Sequence, residues 1–200
     1  MENILFHRFL NRDAATAYEC ASVPEEILTK YKGEFVAEKD EGFDCLHEIW
    51  KSAGFCAYKN GLYSLVNPDD YTNTARRFSG VPDTAIVFAK SGIGCLFLWD
   101  KVKFGESIFY LNVHKNELSI VSTSFLVFFG VSIGAENWWK DNCYGKTELK
   151  AVEKHGPISY DECCTFLPAL VLGGNEDVTA MKKVKVKENL ELLAQLHGAD

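Results

Sequence analysis

The chain has 200 residues, 47% of them apolar and 24% charged, a composition that excludes a disordered chain and allows one large or two small folded domains. It carries 28 acidic and 21 basic side chains, for a net charge of −7. A protein that tracks phosphates needs the opposite balance, so no direct nucleic-acid partner is expected, and the acidic surface suits a basic protein instead.

Met1 to Asp13 reads as a short helix with Ile4, Leu5, Phe6, Phe9 and Leu10 on one face. His7 and Arg8 interrupt its apolar run, so it does not have the pattern of a signal peptide. Ser22-Val-Pro-Glu-Glu combines a cap residue, an early proline and first-turn acids, which starts a helix running through Ile27, Leu28 and Tyr31 to Gly33. A further helix over Phe43–Gly54 sets Phe43, Leu46, Ile49, Trp50 and Ala53 on one stripe, with Gly54 at the left-handed terminal position. Two β-like runs, FCAY and LYSLV, flank Lys59-Asn60-Gly61, a hairpin signal because its turn needs positive φ. Asn67 then caps a helix that has Pro68 at its first position.

Turn residues at Ser79–Asp83 suggest a division into domains of residues 1–80 and 81–200. Beyond it TAIVFAK, CLFLW, SIFYLNV and LSIVS form four strands whose short linkers suit an antiparallel meander. Phe125 to Lys154 reads as mainly helical. Its most apolar stretch, Phe125–Gly134, has ten residues, against the roughly 20 of a membrane span. No membrane partner is expected. Lys183-Val-Lys-Val-Lys alternates as a strand with a lysine face, and a closing helix from Glu188 ends at Gly198. The fold class is α+β: N-terminal helices with a β-hairpin, then a mostly antiparallel sheet with packed helices.

The sequence offers few residues in patterns that carry chemistry. Seven cysteines, an odd number and mostly within apolar runs, read as buried thiols of a reducing compartment rather than a disulfide framework. The chain has no C-x-x-C pair, no G-x-S-x-G elbow, no H-E-x-x-H and no complete glycine-rich phosphate loop, so no catalytic, metal or cofactor site is assigned. Cys163 and Cys164, with His155, Asp161 and Glu162 nearby, are the residues on which a Cys-dependent hydrolase would have to rest. Lys182, Lys183, Lys185 and Lys187 lack interleaved aromatics and read as a solvated strand face. Glu38, Asp40, Glu41, Asp44 and Glu48 form an acidic run able to steer a basic partner, and Trp138 and Trp139 are candidate anchors for it.

The segment His155-Gly-Pro-Ile-Ser-Tyr-Asp-Glu-Cys-Cys-Thr-Phe-Leu-Pro-Ala-Leu-Val-Leu-Gly-Gly resembles the signature of the C-terminal domain of type VI secretion immunity proteins. Its matching positions are Gly156, Pro157, Tyr160, Asp161, Glu162, Cys163, Phe166, Pro168, Gly173 and Gly174. FAKSGIGCLFLWD and the tail from Lys183 are similar to other parts of that family, whereas Cys164, Thr165 and Asn189 depart from its usual Tyr, Gly and His. VPEE, Trp50-Lys-Ser-Ala-Gly-Phe, Asn60-Gly61-Leu62 and Val66–Tyr71 are similar to the GAD-like domain that often precedes it.

The resemblance implies a cytoplasmic, non-catalytic immunity protein that binds a co-encoded toxin, commonly a DNase, and blocks it stoichiometrically. GAD-type domains also occur in tRNA-linked enzymes, so an RNA-associated accessory module is the alternative. Within the motif, Phe166, Leu167, Leu170 and Leu172 are expected to form a buried spine, with the Asp161 and Glu162 carboxylates bonded to backbone donors.

Overall fold

The computed structural model describes residues 4–13, 16–34, 41–102 and 105–198. Its centre is a seven-stranded antiparallel meander in which each strand pairs with the next in sequence. Helix α1 (Ile4–Asp13) precedes the edge strand β1 (Tyr18–Ala21), and α2 (Glu25–Glu34) and α3 (Glu41–Ala53) follow. Gly54 ends α3 at φ +79°, returning its N–H to the Trp50 carbonyl at 2.9 Å. Strands β2 (Phe55–Tyr58) and β3 (Tyr63–Leu65) form the expected hairpin. Lys59, Asn60 and Gly61 all take positive φ in its turn, the conformation for which Asn-Gly is suited.

Asn67 caps a single 3-10 turn, Pro68–Asp70, its side chain accepting from the Asp69 N–H. Helix α4 (Thr72–Ala75) continues the connection to β4 (Ile86–Ser91). Strands β5 (Leu96–Val102), β6 (Gly105–Asn112) and β7 (Glu117–Ser122) complete the sheet. Hydrogen bonding runs unbroken from β3 to β4, so the turn at Ser79–Asp83 lies within one continuous sheet.

The helical region opens with one turn, α5 (Phe125–Val127), and widens into a π turn over Phe128–Ser132. Helices α6 (Glu136–Asn142) and α7 (Lys146–His155) follow. A two-stranded ribbon of β8 (Glu162–Phe166) and β9 (Met181–Lys185) then leads into α8 (Val186–Leu196). The widened turn brings Phe125, Phe128 and Phe129 onto Phe88 of β4, with ring centroids 5.1, 5.6 and 5.9 Å away in edge-on contact. Edge-on packing sets positive ring edges against negative faces, so this aromatic cluster is favourable beyond the area it buries. It is the hydrophobic seam between the sheet and the C-terminal helices.

A second seam is polar. Arg12 donates to the carbonyls of Phe129 at 2.9 Å and Gly130 at 3.2 Å. Lys59 Nζ donates to Gly134 O at 2.8 Å, the Tyr18 hydroxyl to Ile158 O at 2.6 Å, and Lys90 Nζ to Glu162 O at 2.8 Å. Asp13, fully buried, pairs with Arg12 and lies 3.5 Å from Lys59, which balances the charge enclosed at this joint.

One expectation about the cysteines is corrected. Cys20 and Cys56 form a disulfide, their Cα atoms 4.2 Å apart. They are 36 residues apart in sequence, and the antiparallel pairing of β1 with β2 brings them together. Cys95, Cys163 and Cys164 are buried free thiols, and Cys143 is partly exposed.

Candidate partner-binding surface

The C-terminal motif folds as a clasp around the end of the sheet. Gly156 stops α7 at φ +69°. Pro157 follows, its carbonyl accepting from Lys183 Nζ at 2.6 Å. Ile158 donates its N–H to the Asn60 carbonyl at 3.1 Å, seating the segment on the tip of the β2–β3 hairpin. The Tyr160 N–H donates to the Glu19 carboxylate at 2.6 Å. Cys163, Cys164 and Phe166 are buried within β8, and Cys164 N–H reaches Gly92 O at 2.8 Å. Cys163 lies against Gly94 and against Asn189 of α8, whose amide nitrogen is 3.7 Å from the sulfur.

Beyond Phe166 the motif turns outward, and this corrects the expected spine. Phe166 is buried and Leu170 partly so. Leu167 is 49% exposed, Val171 43% and Leu172 63%. The reason is the turn itself: Gly173 at φ +84° and N–H groups that return to Ala169 fold residues 167–174 into a compact knuckle. Leu172 and Gly174 N–H groups both return to Ala169 O, at 2.9 and 3.1 Å. The Asp161 carboxylate does meet a backbone donor, its own N–H, and is held below its ordinary value first by Lys185. Asp161 and Glu162 offer their backbone carbonyls, to Val186 N–H and Lys90 Nζ, and the Asp161 carboxylate pairs with Lys185.

The thiols are poorly disposed for nucleophilic chemistry. Burial pushes Cys163 up to about 12 and Cys164 up to about 11, despite the neighbouring lysines Lys90 and Lys183. Only a thiolate attacks, and these remain protonated at neutral pH. The His155 ring lies 3.4 Å from Val178 O. Among the described residues no three His, Cys, Asp or Glu side chains are grouped so as to hold a metal ion.

The sheet face beneath α7 encloses ionisable groups that sequence reading did not single out. Glu148 is fully buried, accepts from the Tyr110 hydroxyl at 2.6 Å, and is raised by burial to about 7. Lys90 is buried and lowered to about 8 by desolvation. His114 is depressed to about 4, again by burial, and its Nε2 contacts Ile93 O at 2.8 Å. Neither Lys90 nor Glu148 carries a local signature, because each sits within an otherwise ordinary strand or helix pattern.

Residues 5–114 match the GAD-like domain family, which is more than half of the chain. The chain belongs to the GAD-like family. Residues 126–197 of this GAD-like protein match a second family, the C-terminal domain of the type VI secretion immunity protein Tdi1. The expected pairing of the two domains, and with it a type VI immunity protein, is therefore present. No curated protein matches the chain. The fold is similar to that in the crystal structure of Atu4351 from Agrobacterium tumefaciens, at 16% identity and a TM-score of 0.73 over 95% of this chain and 88% of that one.

The immunity protein presents its candidate contact residues unequally. Glu38 and Asp40 lie outside the described residues, as do the side chains of Glu41 and Asp44 on α3. Glu48 is exposed on the same helix. Trp139 is fully buried, with its indole N–H on Ile133 O at 2.8 Å, so it belongs to the core and not to the surface. Trp138 is partly buried, packing edge-on against Phe128 with centroids 5.5 Å apart. A run that is apolar throughout carries no sign of which of its side chains face solvent, so the exposure of Leu167, Val171 and Leu172 could not be read beforehand.

Proposed function

We propose that this immunity protein neutralises a co-encoded type VI secretion toxin that is a DNase, by forming a stoichiometric protein–protein complex and without catalysis. The observation that carries the reading is the match of residues 126–197 to the Tdi1 immunity domain, joined on one chain to a GAD-like domain. The net charge of −7 supports it, since a DNase must present cations to phosphate and an acidic partner is steered to that face. The same charge disfavours an RNA-associated accessory role, and the protonated, buried Cys163 and Cys164 disfavour a hydrolase.

Because a DNase finds its substrate in the cytoplasm, we place the protein there. Cys20 and Cys56 are then reduced in the cell and join only on oxidation. Thiol trapping in intact cells checks this, and a persistent disulfide would point to an oxidising compartment.

The test of function is titration of the purified protein against the neighbouring gene's product in a DNA-cleavage assay. Cleavage should fall linearly to zero near one equivalent. A toxin that stays fully active in excess immunity protein would overturn the proposal.

A further inference from the structure

Strand β1 buries little of itself, yet it holds the immunity motif. Glu19, Cys20 and Ala21 are exposed and Tyr18 partly so, and among the described residues the strand's only neighbour in the sheet is β2. Two consecutive side chains nevertheless reach the same C-terminal segment. The Tyr18 hydroxyl donates to Ile158 O, and the Glu19 carboxylate accepts from the Tyr160 N–H, both at 2.6 Å. At Gly61 a Cβ would lie 2.3 Å from the Ile158 oxygen and 2.8 Å from the Tyr18 hydroxyl, so hairpin tip, strand and motif meet at one point.

Neighbouring side chains of a regular strand point to opposite faces. In β1 the register against β2 shifts between Tyr18 and Ala21, and Glu19 takes φ +51°. The irregularity lets both side chains serve one segment. It also carries a cost, because the left-handed region is unfavourable for a residue with a Cβ. Such strain persists only where the surroundings over-determine the backbone. Cys20, the next residue, supplies that constraint through its bond to Cys56, which is fully buried in β2. A covalent tie at this position limits how far β1 can open, and so keeps Tyr18 and Glu19 on the motif. Without the tie, a short and exposed edge strand belongs to the least stable parts of a fold.

We propose that the Cys20–Cys56 pair is a redox latch that sets the mobility of the immunity motif at residues 158–160. Cys20 is the exposed partner and the point of entry, whereas the free thiols of Cys95, Cys163 and Cys164 are buried. The oxidant is a small disulfide such as oxidised glutathione. The Cys20 thiolate attacks one of its sulfurs, giving a mixed disulfide and releasing one small thiol. The Cys56 thiolate then attacks the Cys20 sulfur, forming the protein bond and releasing the second small thiol. Two protein thiols are oxidised, one small disulfide is reduced, and the two protons end on the two small thiols. In a reducing cytoplasm the latch is open and the motif breathes, and oxidation closes it. The latch acts within this chain whichever toxin is met, so its failure would leave the toxin reading untouched.

The experiment follows amide hydrogen exchange of the full chain by NMR, after incubation with oxidised glutathione and after full reduction, with thiol alkylation reporting the state of each cysteine. The Tyr160 amide should exchange at least about tenfold more slowly in the oxidised protein. Cys20→Ser should show the reduced rate in both buffers. Glu19→Gly suits the positive φ and removes the carboxylate. It should still form the disulfide but lose the difference at Tyr160, which a general stabilisation by the crosslink would not do. The latch is overturned if oxidised glutathione leaves Cys20 and Cys56 as thiols. It is equally overturned if the wild-type Tyr160 rate changes by less than about twofold between the two states, or if either variant keeps the wild-type response. Near-ultraviolet dichroism establishes that each variant is folded, and Cys20→Ala and Glu19→Asn replace one that is not.

Discussion

Single residues of this protein carry consequences that its chain pattern does not announce. A Cβ at Gly174 would lie 1.9 Å from the Pro168 carbonyl oxygen, a rigid neighbour. Gly174→Ala should therefore destabilise the fold by about 1–3 kcal/mol, read from urea unfolding. Gly173, which takes φ +84° with open space around it, is constrained instead by its backbone. Glu148 gives a pH prediction. Its folded value of about 7 lies above the ordinary 4.5, so the folded state holds the proton more tightly than the unfolded chain. That contribution is fully present below pH 4.5 and is lost as pH rises through 7, amounting to about 3 kcal/mol for the shift. Glu148→Gln cannot ionise, and its unfolding free energy should lack this decline between pH 4.5 and 7 when compared with wild type.

At the scale of elements, the disulfide acts on β1, a strand held to the sheet by β2 alone. Closing the loop between Cys20 and Cys56 restricts the unfolded chain, a contribution of up to about 4 kcal/mol for a loop of this length. Cys20→Ser should lower the unfolding midpoint in oxidising buffer and leave it unchanged under reductant. The same elements show what could be read beforehand. The hairpin at Asn60-Gly61, the cap at Asn67 and the four strands of the meander were legible because turn chemistry and alternation are local. Strand β1 was not, being four residues long and mostly exposed. Strand β8 was not, because Cys163 through Phe166 are all buried and a wholly buried strand has no alternation to display. The pairing of Cys20 with Cys56 depended on strand register, which the sequence does not display. The candidate surface was half legible: its motif stood out, but which of its side chains face solvent was decided by the knuckle's fold.

The whole molecule should unfold as one body. Phe128 and Phe129 from the immunity domain, with Phe125 just before it, share a core with Phe88 and Phe97 of the GAD-like sheet. Separating the two would expose aromatic surface on both sides. Far-ultraviolet circular dichroism and tryptophan fluorescence should report coincident transitions, and residues 125–200 expressed alone should lack fixed tertiary packing, seen as weak near-ultraviolet dichroism. The polar seam has a further consequence. Arg12, Tyr18, Lys59 and Lys90 supply its donors, whereas its acceptors on the other side are main-chain carbonyls at positions 129, 130, 134, 158 and 162. A carbonyl is present whatever side chain its residue bears. The joint nevertheless constrains some of the residues that carry these carbonyls, since a Cβ at Gly134 would lie 1.8 Å from Arg12 Cζ and Phe129 packs on Phe88, so freedom to change falls to the outward side chains away from it.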